Sequence, residues 1–292
     1  CSNVIGGCNG STGPMSINPD TGQRYAMDFP PVTIRDMAQA QTLLMDHLGI
    51  ERLFAAIGGS MGGMQAMVWA IDYPDRIRNC IPIAASSAHS AMQIAFNEVG
   101  RQAILTDPEW NEGNYYEQRL NSPEGEGGGP EHGLAVARMI GHVTYLSECS
   151  MHRKFGRRLQ RPAAPEDLFP AFFSVESYLQ YQGESFVRRF DPNSYLYITK
   201  ALDMFDALDG RPSNEVFQNV SARFLVISFE SDWLYPPSQS RELVRNLKRA
   251  NRRATYVNLE TPYGHDSFLI KNPEFTRIVS NYLTQDFQKI TQ

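Results

Sequence analysis

No apolar run in this sequence approaches the roughly 20 residues that a membrane-crossing helix needs, and no charged segment leads into a short apolar stretch of the kind that directs export. A soluble chain with a cytoplasmic location is the expectation. Positive charge is scarce as well: 27 lysines and arginines stand against 32 aspartates and glutamates, a formal net charge of -5. No basic run carries interleaved aromatics, so nucleic acid has neither a field to follow nor a platform to stack on. Small molecules are the expected partners, without nucleic acid or membrane. Cysteine is sparse too, and Cys1, Cys8, Cys80 and Cys149 show neither CxxC nor zinc-finger spacing. Neither a disulfide framework nor a metal site follows, and buried free thiols are expected. No repeat period is visible. An initiator methionine is also lacking: the chain opens on "CSNVIGGCNG", which reads as a strand with its following loop and implies that upstream strands are missing.

What is there is enough for a full-sized core. With 292 residues, 42% hydrophobic and 20% charged, one large domain or one domain carrying an insertion is expected. "FPPVTIRDMAQAQTLLMDHLGIERLFAAIGGS" reads as helix, turn, strand. Thr33 can cap the helix, Asp36 favours its positive end, and Ile34, Met37, Leu44, Met45 and Leu48 recur at helical spacing before Gly49 stops it. "RLFAAIGG" is short, apolar and unalternating, as a strand covered on both faces would be. Met64, Met67 and Val68 mark a buried helix face after it, and "NCIPIAAS" is a second such strand. Strand, helix, strand at this spacing implies parallel pairing in an α/β sheet. From about residue 87 to 215 the texture turns helical, aromatic and polar, broken by a glycine-rich loop at 122–133. The strand pattern returns in "ARFLVISFESD" and "RATYVNLE", and "NPEFTRIVSNYLTQDF" supplies a closing amphipathic helix. The middle therefore reads as an insertion between two parts of one sheet.

"GGSMG" at 58–62 satisfies G-x-S-x-G, with an apolar strand before it and a helix after it. A turn that sharp strains the backbone and brings segments close together, which glycine permits, while the serine hydroxyl is held above the sheet. Ser60 is the candidate nucleophile. A hydroxyl at its ordinary pKa needs a base, and the base needs an orienting acid. Of six histidines, only His265 follows a predicted strand and precedes the last helix, where the base of this arrangement falls. His47, near a helix C-terminus, reads as solvated or paired with the helix dipole. Asp232 directly follows the strand "FLVISFES", at the sheet edge where ligands collect. Asp203, Asp206 and Asp209 read as surface or capping groups. The Met61 N–H, at the helix start, is the candidate oxyanion donor.

Several longer stretches then carry a resemblance. "CSNVIGGCNGSTGPMSINPDTGQRYAMDFPPVTIRDMAQAQ", "GGSMGGMQ", "FDPNSYLYITKALDMFD", "SDWLYPP" and "GHDSFL" are similar to signatures of the homoserine O-acyltransferases, and the similarity covers essentially the whole chain. The resemblance implies an α/β-hydrolase fold, a mostly parallel sheet flanked by helices, with residues 1–89 and 216–292 as the core and 90–215 as a helical lid. It implies further strands upstream, with the segment that supplies a second oxyanion donor. It implies ping-pong acetyl transfer from acetyl-CoA, as co-substrate, to the hydroxyl of L-homoserine in methionine synthesis, without a cofactor or metal, in a homodimer. Arg138 matches the arginine that binds the acceptor's carboxylate, Tyr145 a pocket tyrosine, and Asp266 the acid that meets the amino group. Family members that use succinyl-CoA often carry an arginine two positions after the catalytic aspartate. Leu234 stands there, which favours acetyl, although Arg157, Arg158 and Arg161 remain as cations for a succinyl donor. Serine stays open as acceptor. An esterase or a non-catalytic hydrolase-fold protein are the rival readings.

Overall fold

The structure, a computed structural model, describes residues 1–120, 128–160 and 173–291. By contact density the chain divides into two compact units: Cys1–Leu44 with His89–Thr144 and Met151–Phe205, and Met45–Ala88 with Tyr145–Ser150 and Asp206–Gln292. The expected core boundaries placed residues 1–44 with the sheet, yet they fold onto helical residues. The Tyr197 hydroxyl hydrogen-bonds to the carbonyls of Met27 and Phe29 at 2.9 and 2.6 Å, and Ala26 packs with Tyr115 and Tyr116.

In the second unit, strands β1 (Leu53–Gly59), β2 (Ile77–Ile83), β3 (Arg223–Phe229) and β4 (Ala254–Leu259) form a parallel sheet in the order β1-β2-β3-β4 among the described residues. Parallel neighbours require crossovers, and helix α2 (Met61–Asp72) joins β1 to β2. Helix α2 packs on β1 and β2, and the helix over Pro237–Arg249 packs on β3 and β4. The closing helix over Pro273–Thr291 lays Phe275, Ile278, Val279 and Leu283 against Ile81, Leu225, Ile227 and Phe229. β2 and β3 are buried almost throughout, as their unalternating sequences require. The two outer strands of the described sheet depart from that expectation: β1 is only partly buried, with Ile57 47% exposed, and so is β4.

Helix α1 (Ile34–His47) starts where expected. The Asp36 N–H donates to Thr33 Oγ1 at 3.2 Å and the Thr33 N–H donates to Asp36 Oδ2 at 2.8 Å, a reciprocal cap. Gly49 ends it at φ +68°, the left-handed conformation a helix stop favours. Ile34, Met37 and Met45 are buried, but Leu44 and Leu48 are exposed and do not belong to the apolar face read from spacing. The cysteines are free as expected, although only Cys80 is buried; Cys8 is partly buried, and Cys1 and Cys149 lie at the surface.

The first unit is built on helices α3 (Ala91–Leu105), α4 (Tyr116–Leu120), α5 (Glu131–Tyr145), α6 (Glu148–Lys154), α7 (Ser174–Val187) and α8 (Pro192–Asp203). Ile104, Leu134, Ala137, Phe186 and Leu196 interlock α3, α5, α7 and α8. Residues 122–127 of the expected glycine-rich loop lie outside the described residues, and 131–133 already belong to α5. Asp191 caps α8, accepting from the Ser194 N–H at 2.8 Å and from the hydroxyls of Tyr115 and Tyr116 at 2.7 and 3.1 Å, which gives "FDPNSYLYITK" a structural reason. Asp203 is a correction: instead of a surface group it is buried, accepting from Asn97 at 2.7 Å and pairing with Arg101 at 2.7 Å and His89 at 3.3 Å. Asp206 does cap a turn, through the Leu208 N–H.

His142 on α5 is buried, shares a 2.9 Å hydrogen bond between Nδ1 and the Tyr178 hydroxyl, and sits among cations. Burial, followed by the charges of Arg138, Lys154 and Arg189, lowers its pKa to about 4. The unfolded chain takes up this proton near the ordinary value of about 6.5, so between those values it binds more protons than the folded chain. Stability is therefore expected to fall as pH drops through that window, by at most about 3 kcal/mol from this group. Urea midpoints at pH 7 and pH 5 check this: His142→Gln, which cannot charge, should flatten the difference.

Candidate active site

The glycines around Ser60 each answer to a neighbour. A Cβ on Gly58 would lie 2.2–2.7 Å from the backbone of Gly62, so the strand and the first turn of α2 touch main chain to main chain. A Cβ on Gly63 would meet Ala85 at 2.6 Å, and one on Gly59 would meet the Phe268 ring at 2.4–2.7 Å. Between these contacts the chain turns through Ser60, at φ 54° and ψ -121°. A non-glycine residue there stores roughly 1–3 kcal/mol, held by the surrounding structure. The clamps are visible: the Ser60 N–H donates to the Ile83 carbonyl on β2 at 2.9 Å, and the Ser60 carbonyl accepts from Gly63 and Met64 at 2.9 and 3.2 Å. Met61 opens α2, so its N–H is one of those with no intrahelical acceptor, at the positive end of the helix.

Asp232 lies in the turn that leaves β3, its N–H donating to the Phe229 carbonyl at 3.1 Å. The carboxylate is 2% exposed and fully engaged: Oδ1 accepts from the Tyr235 N–H at 2.8 Å, and Oδ2 lies 2.8 Å from His265 Nδ1. Donation from Nδ1 to this carboxylate leaves His265 Nε2 as the basic nitrogen. The imidazole is buried and held by rings. Tyr235 stacks on it at a centroid distance of 4.8 Å and 22°, and Phe268 meets it edge-on at 5.5 Å and 79°. Phe268 is the same ring that fills the space above Gly59, so one phenyl links the Ser60 turn to the His265 imidazole. Gly59→Ala is expected to push that ring off its seat, lowering kcat/KM by about 10- to 100-fold and stability by about 1–3 kcal/mol. Steady-state rates and a thermal melt on the complete protein check both numbers.

The His265 turn, a short 3-10 helix over Gly264–Leu269, is tied down in turn. The Gly264 N–H donates to Ser231 Oγ at 2.9 Å. Gly264 has φ +75°, and a Cβ there would lie 2.5 Å from Ser147 N and 2.7 Å from the Tyr145 carbonyl. Trp233 Nε1 donates to the Leu146 carbonyl at 3.0 Å, and the Ser147 hydroxyl donates to the Pro262 carbonyl. The segment after α5 is thereby locked against both the Asp232 turn and the His265 turn. It brings Tyr145 to His265, at a centroid distance of 6.1 Å and 38°. Asp266, beside His265, is partly exposed, and Leu234 is buried. Arg138 belongs to the helical unit, half-buried, its guanidinium 4.6 Å over the Phe186 ring. Tyr235, Phe268 and Trp233 were not singled out by sequence reasoning; the aromatic content of "SDWLYPP" and "GHDSFL" was the available signal.

A family model described as the alpha/beta hydrolase fold matches residues 5–123. The chain is 55% identical over 98% of its length to the homoserine O-acetyltransferase of Methanohalobium evestigatum, and 53% identical over 97% to that of Rhodopseudomonas palustris. It belongs to the homoserine O-acetyltransferase family. The chain spans 57% and 69% of the lengths of those two curated relatives. Among solved structures, family likeness and fold likeness part company. The homoserine O-acetyltransferase of Bacillus anthracis superposes with a TM-score of 0.79 at 30% identity, covering 88% of this chain and 66% of that one. Esterase E22 superposes with a TM-score of 0.81 at 30% identity, covering 94% and 72%. The fold of the homoserine O-acetyltransferase family is thus shared with a hydrolase, and the reaction must be argued from the site.

Proposed function

We propose that the complete protein is a homoserine O-acetyltransferase of methionine biosynthesis, passing the acetyl group of acetyl-CoA to the side-chain hydroxyl of L-homoserine through an acetyl-serine. The carrying observation is the 2.8 Å Asp232–His265 pair in the same compact unit as the strained Ser60 elbow. Family membership supports the choice of substrates. Ser60 Oγ attacks the thioester carbonyl as its proton moves to His265 Nε2, and the developing oxyanion takes the Met61 N–H. The carbon–sulfur bond breaks, the imidazolium returns the proton to the thiolate, and coenzyme A leaves. The homoserine hydroxyl then gives its proton to His265 and attacks the acetyl carbonyl, releasing Ser60 with that proton.

Water is the competitor, and the family resemblance gives its exclusion to residues 90–215. Arg138 is assigned to the acceptor's carboxylate, Asp266 to its ammonium and Tyr145 to the pocket beside the base, since a zwitterion requires fixed charges of both signs. Leu234, buried and apolar, favours acetyl over succinyl: a succinyl carboxylate set against it would cost several kcal/mol. Arg161, one cation considered for a succinyl donor, lies outside the described residues. No helix among the described residues is long and apolar enough to cross a membrane, and we assign the enzyme to the cytoplasm as a homodimer.

The test is thiol release from acetyl-CoA with and without homoserine. Release that depends on homoserine is the expected result; equal rates would make the protein an esterase, the reading that the likeness to esterase E22 favours. Arg138→Ala is expected to raise the homoserine KM by about 10- to 100-fold while sparing formation of the acetyl-serine, the loss of one charged hydrogen-bond pair. Mass spectrometry of the Ser60 peptide after mixing with acetyl-CoA separates the two half-reactions.

A further inference from the structure

Every strand of the parallel sheet has an arginine within one residue of its start. Arg52 precedes β1, Arg78 is the second residue of β2, Arg223 opens β3 and Arg253 precedes β4. The registers Asn79↔Arg223 and Phe224↔Ala254 keep the last three within a residue of one level. Because the strands are parallel, these cations share the edge opposite Ser60, about 20 Å away along a seven-residue strand. They line a cleft of about 450 Å³ formed by Arg78, Arg223, Arg253, Tyr282, Asp286 and Lys289, and an adjoining one of about 260 Å³ that adds Arg52.

One carboxylate serves this cleft. Asp286, 1% exposed, accepts from Arg78 Nε and NH2 at 2.6 and 3.2 Å, from Asn79 Nδ2 at 2.9 Å, and from Arg223. Burial opposes its charge, but the hydrogen bonds from Arg78 and Asn79 and the Arg223 guanidinium outweigh it and hold the pKa at about 2. Asp286 thus staples the closing helix to β2 and β3. It leaves the cleft with a surplus: Arg253 and Lys289 line it, and neither has an ion pair among the described residues; nor has Arg52 next door. Four cations against one saturated carboxylate stand out in a chain of formal net charge -5. A helix staple needs one or two of these cations and gives no reason for the others. A bound anion does, since gathering like charges around a cavity focuses its field on an anionic ligand.

We propose that this cleft binds an anion carrying two or more linked phosphoryl groups, at a site separate from acyl transfer. Guanidinium forks match phosphate oxygens in pairs. Neighbouring strands lie about 4.8 Å apart, so Arg78 to Arg253 spans roughly 10 Å, more than one phosphate fills and within reach of a di- or triphosphate. Calorimetric titration of the complete protein with pyrophosphate, triphosphate and orthophosphate tests this. Saturable binding of the first two, at least about 10-fold tighter than orthophosphate, is expected. The double variant Arg253→Ser/Lys289→Ser, exposed positions whose loss leaves the Asp286 staple and acyl transfer intact, should weaken it by about 10-fold or more. ATP binding tighter than triphosphate assigns the ligand to nucleotides, and equal binding assigns it to the phosphate chain alone; both uphold the site. No saturation at millimolar pyrophosphate, equal affinity for orthophosphate, or full binding by the double variant overturns it.

Discussion

In the complete protein, Ser60→Ala is expected to lower kcat/KM for the proposed acetyl transfer by about 10⁴- to 10⁶-fold, the range over which a lone nucleophile deletion removes the covalent route. Ser60→Gly should lose as much activity and yet unfold at a higher temperature than the parent. The reason is the backbone: at φ 54° and ψ -121° the residue occupies a region that costs a side-chain-bearing residue roughly 1–3 kcal/mol and glycine almost nothing. Alanine keeps the Cβ and therefore the strain, so the two variants separate chemistry from conformation. The strain aims the hydroxyl, and a gain in stability on its removal is the trade between activity and stability seen at preorganised sites. A Ser60→Ala protein within tenfold of the parent would remove the nucleophile from the mechanism. A Ser60→Gly protein no more stable than Ser60→Ala would remove the strain argument alone.

Features encoded locally were the legible ones. The Thr33–Asp36 cap, the Gly49 stop and the glycine-flanked Ser60 each involve residues within a few positions of one another, and the structure places them as their chemistry requires. Asp232 could be ranked because it follows a strand that announces itself by an unalternating apolar run, and His265 because it lies between the last strand and the closing helix. What escaped depends on distant partners. Nothing in the neighbourhood of Asp203 in sequence announces that Asn97 and Arg101 will surround it, and a helical period cannot tell that Leu44 and Leu48 meet no partner while Met45 does. Tyr235, 30 residues from His265, escaped for the same reason; Phe268 is only three residues away, but its seat against the ring is set by the turn over Gly264–Leu269, which no periodic pattern announces.

Asp232→Asn is the companion test, and this site makes its outcome specific. The Tyr235 N–H, 2.8 Å from Oδ1, requires an acceptor, so an asparagine in the same place must turn its amide oxygen toward Tyr235 and its NH2 toward His265 Nδ1. Nδ1 then accepts instead of donating, the ring proton moves to Nε2, and the base has no lone pair for the serine. A loss of about 10⁴ in kcat is expected with the fold intact, since the replacement is isosteric and leaves the Tyr235 bond in place; that magnitude is the one measured for the same change in a serine-protease triad. Nitrogen NMR of the imidazole should report Nε2 as the protonated nitrogen in the variant and Nδ1 in the parent. Asp232→Ala differs in kind. It strands the Tyr235 N–H and the imidazole together in a 2%-exposed site, at about 1–3 kcal/mol for each unsatisfied group, so its inactivity would be accompanied by a lower melting temperature. An asparagine variant that keeps the parent tautomer and most of its rate would mean that the carboxylate only packs the turn, and the base would then have to be oriented by Tyr235 and Phe268 alone.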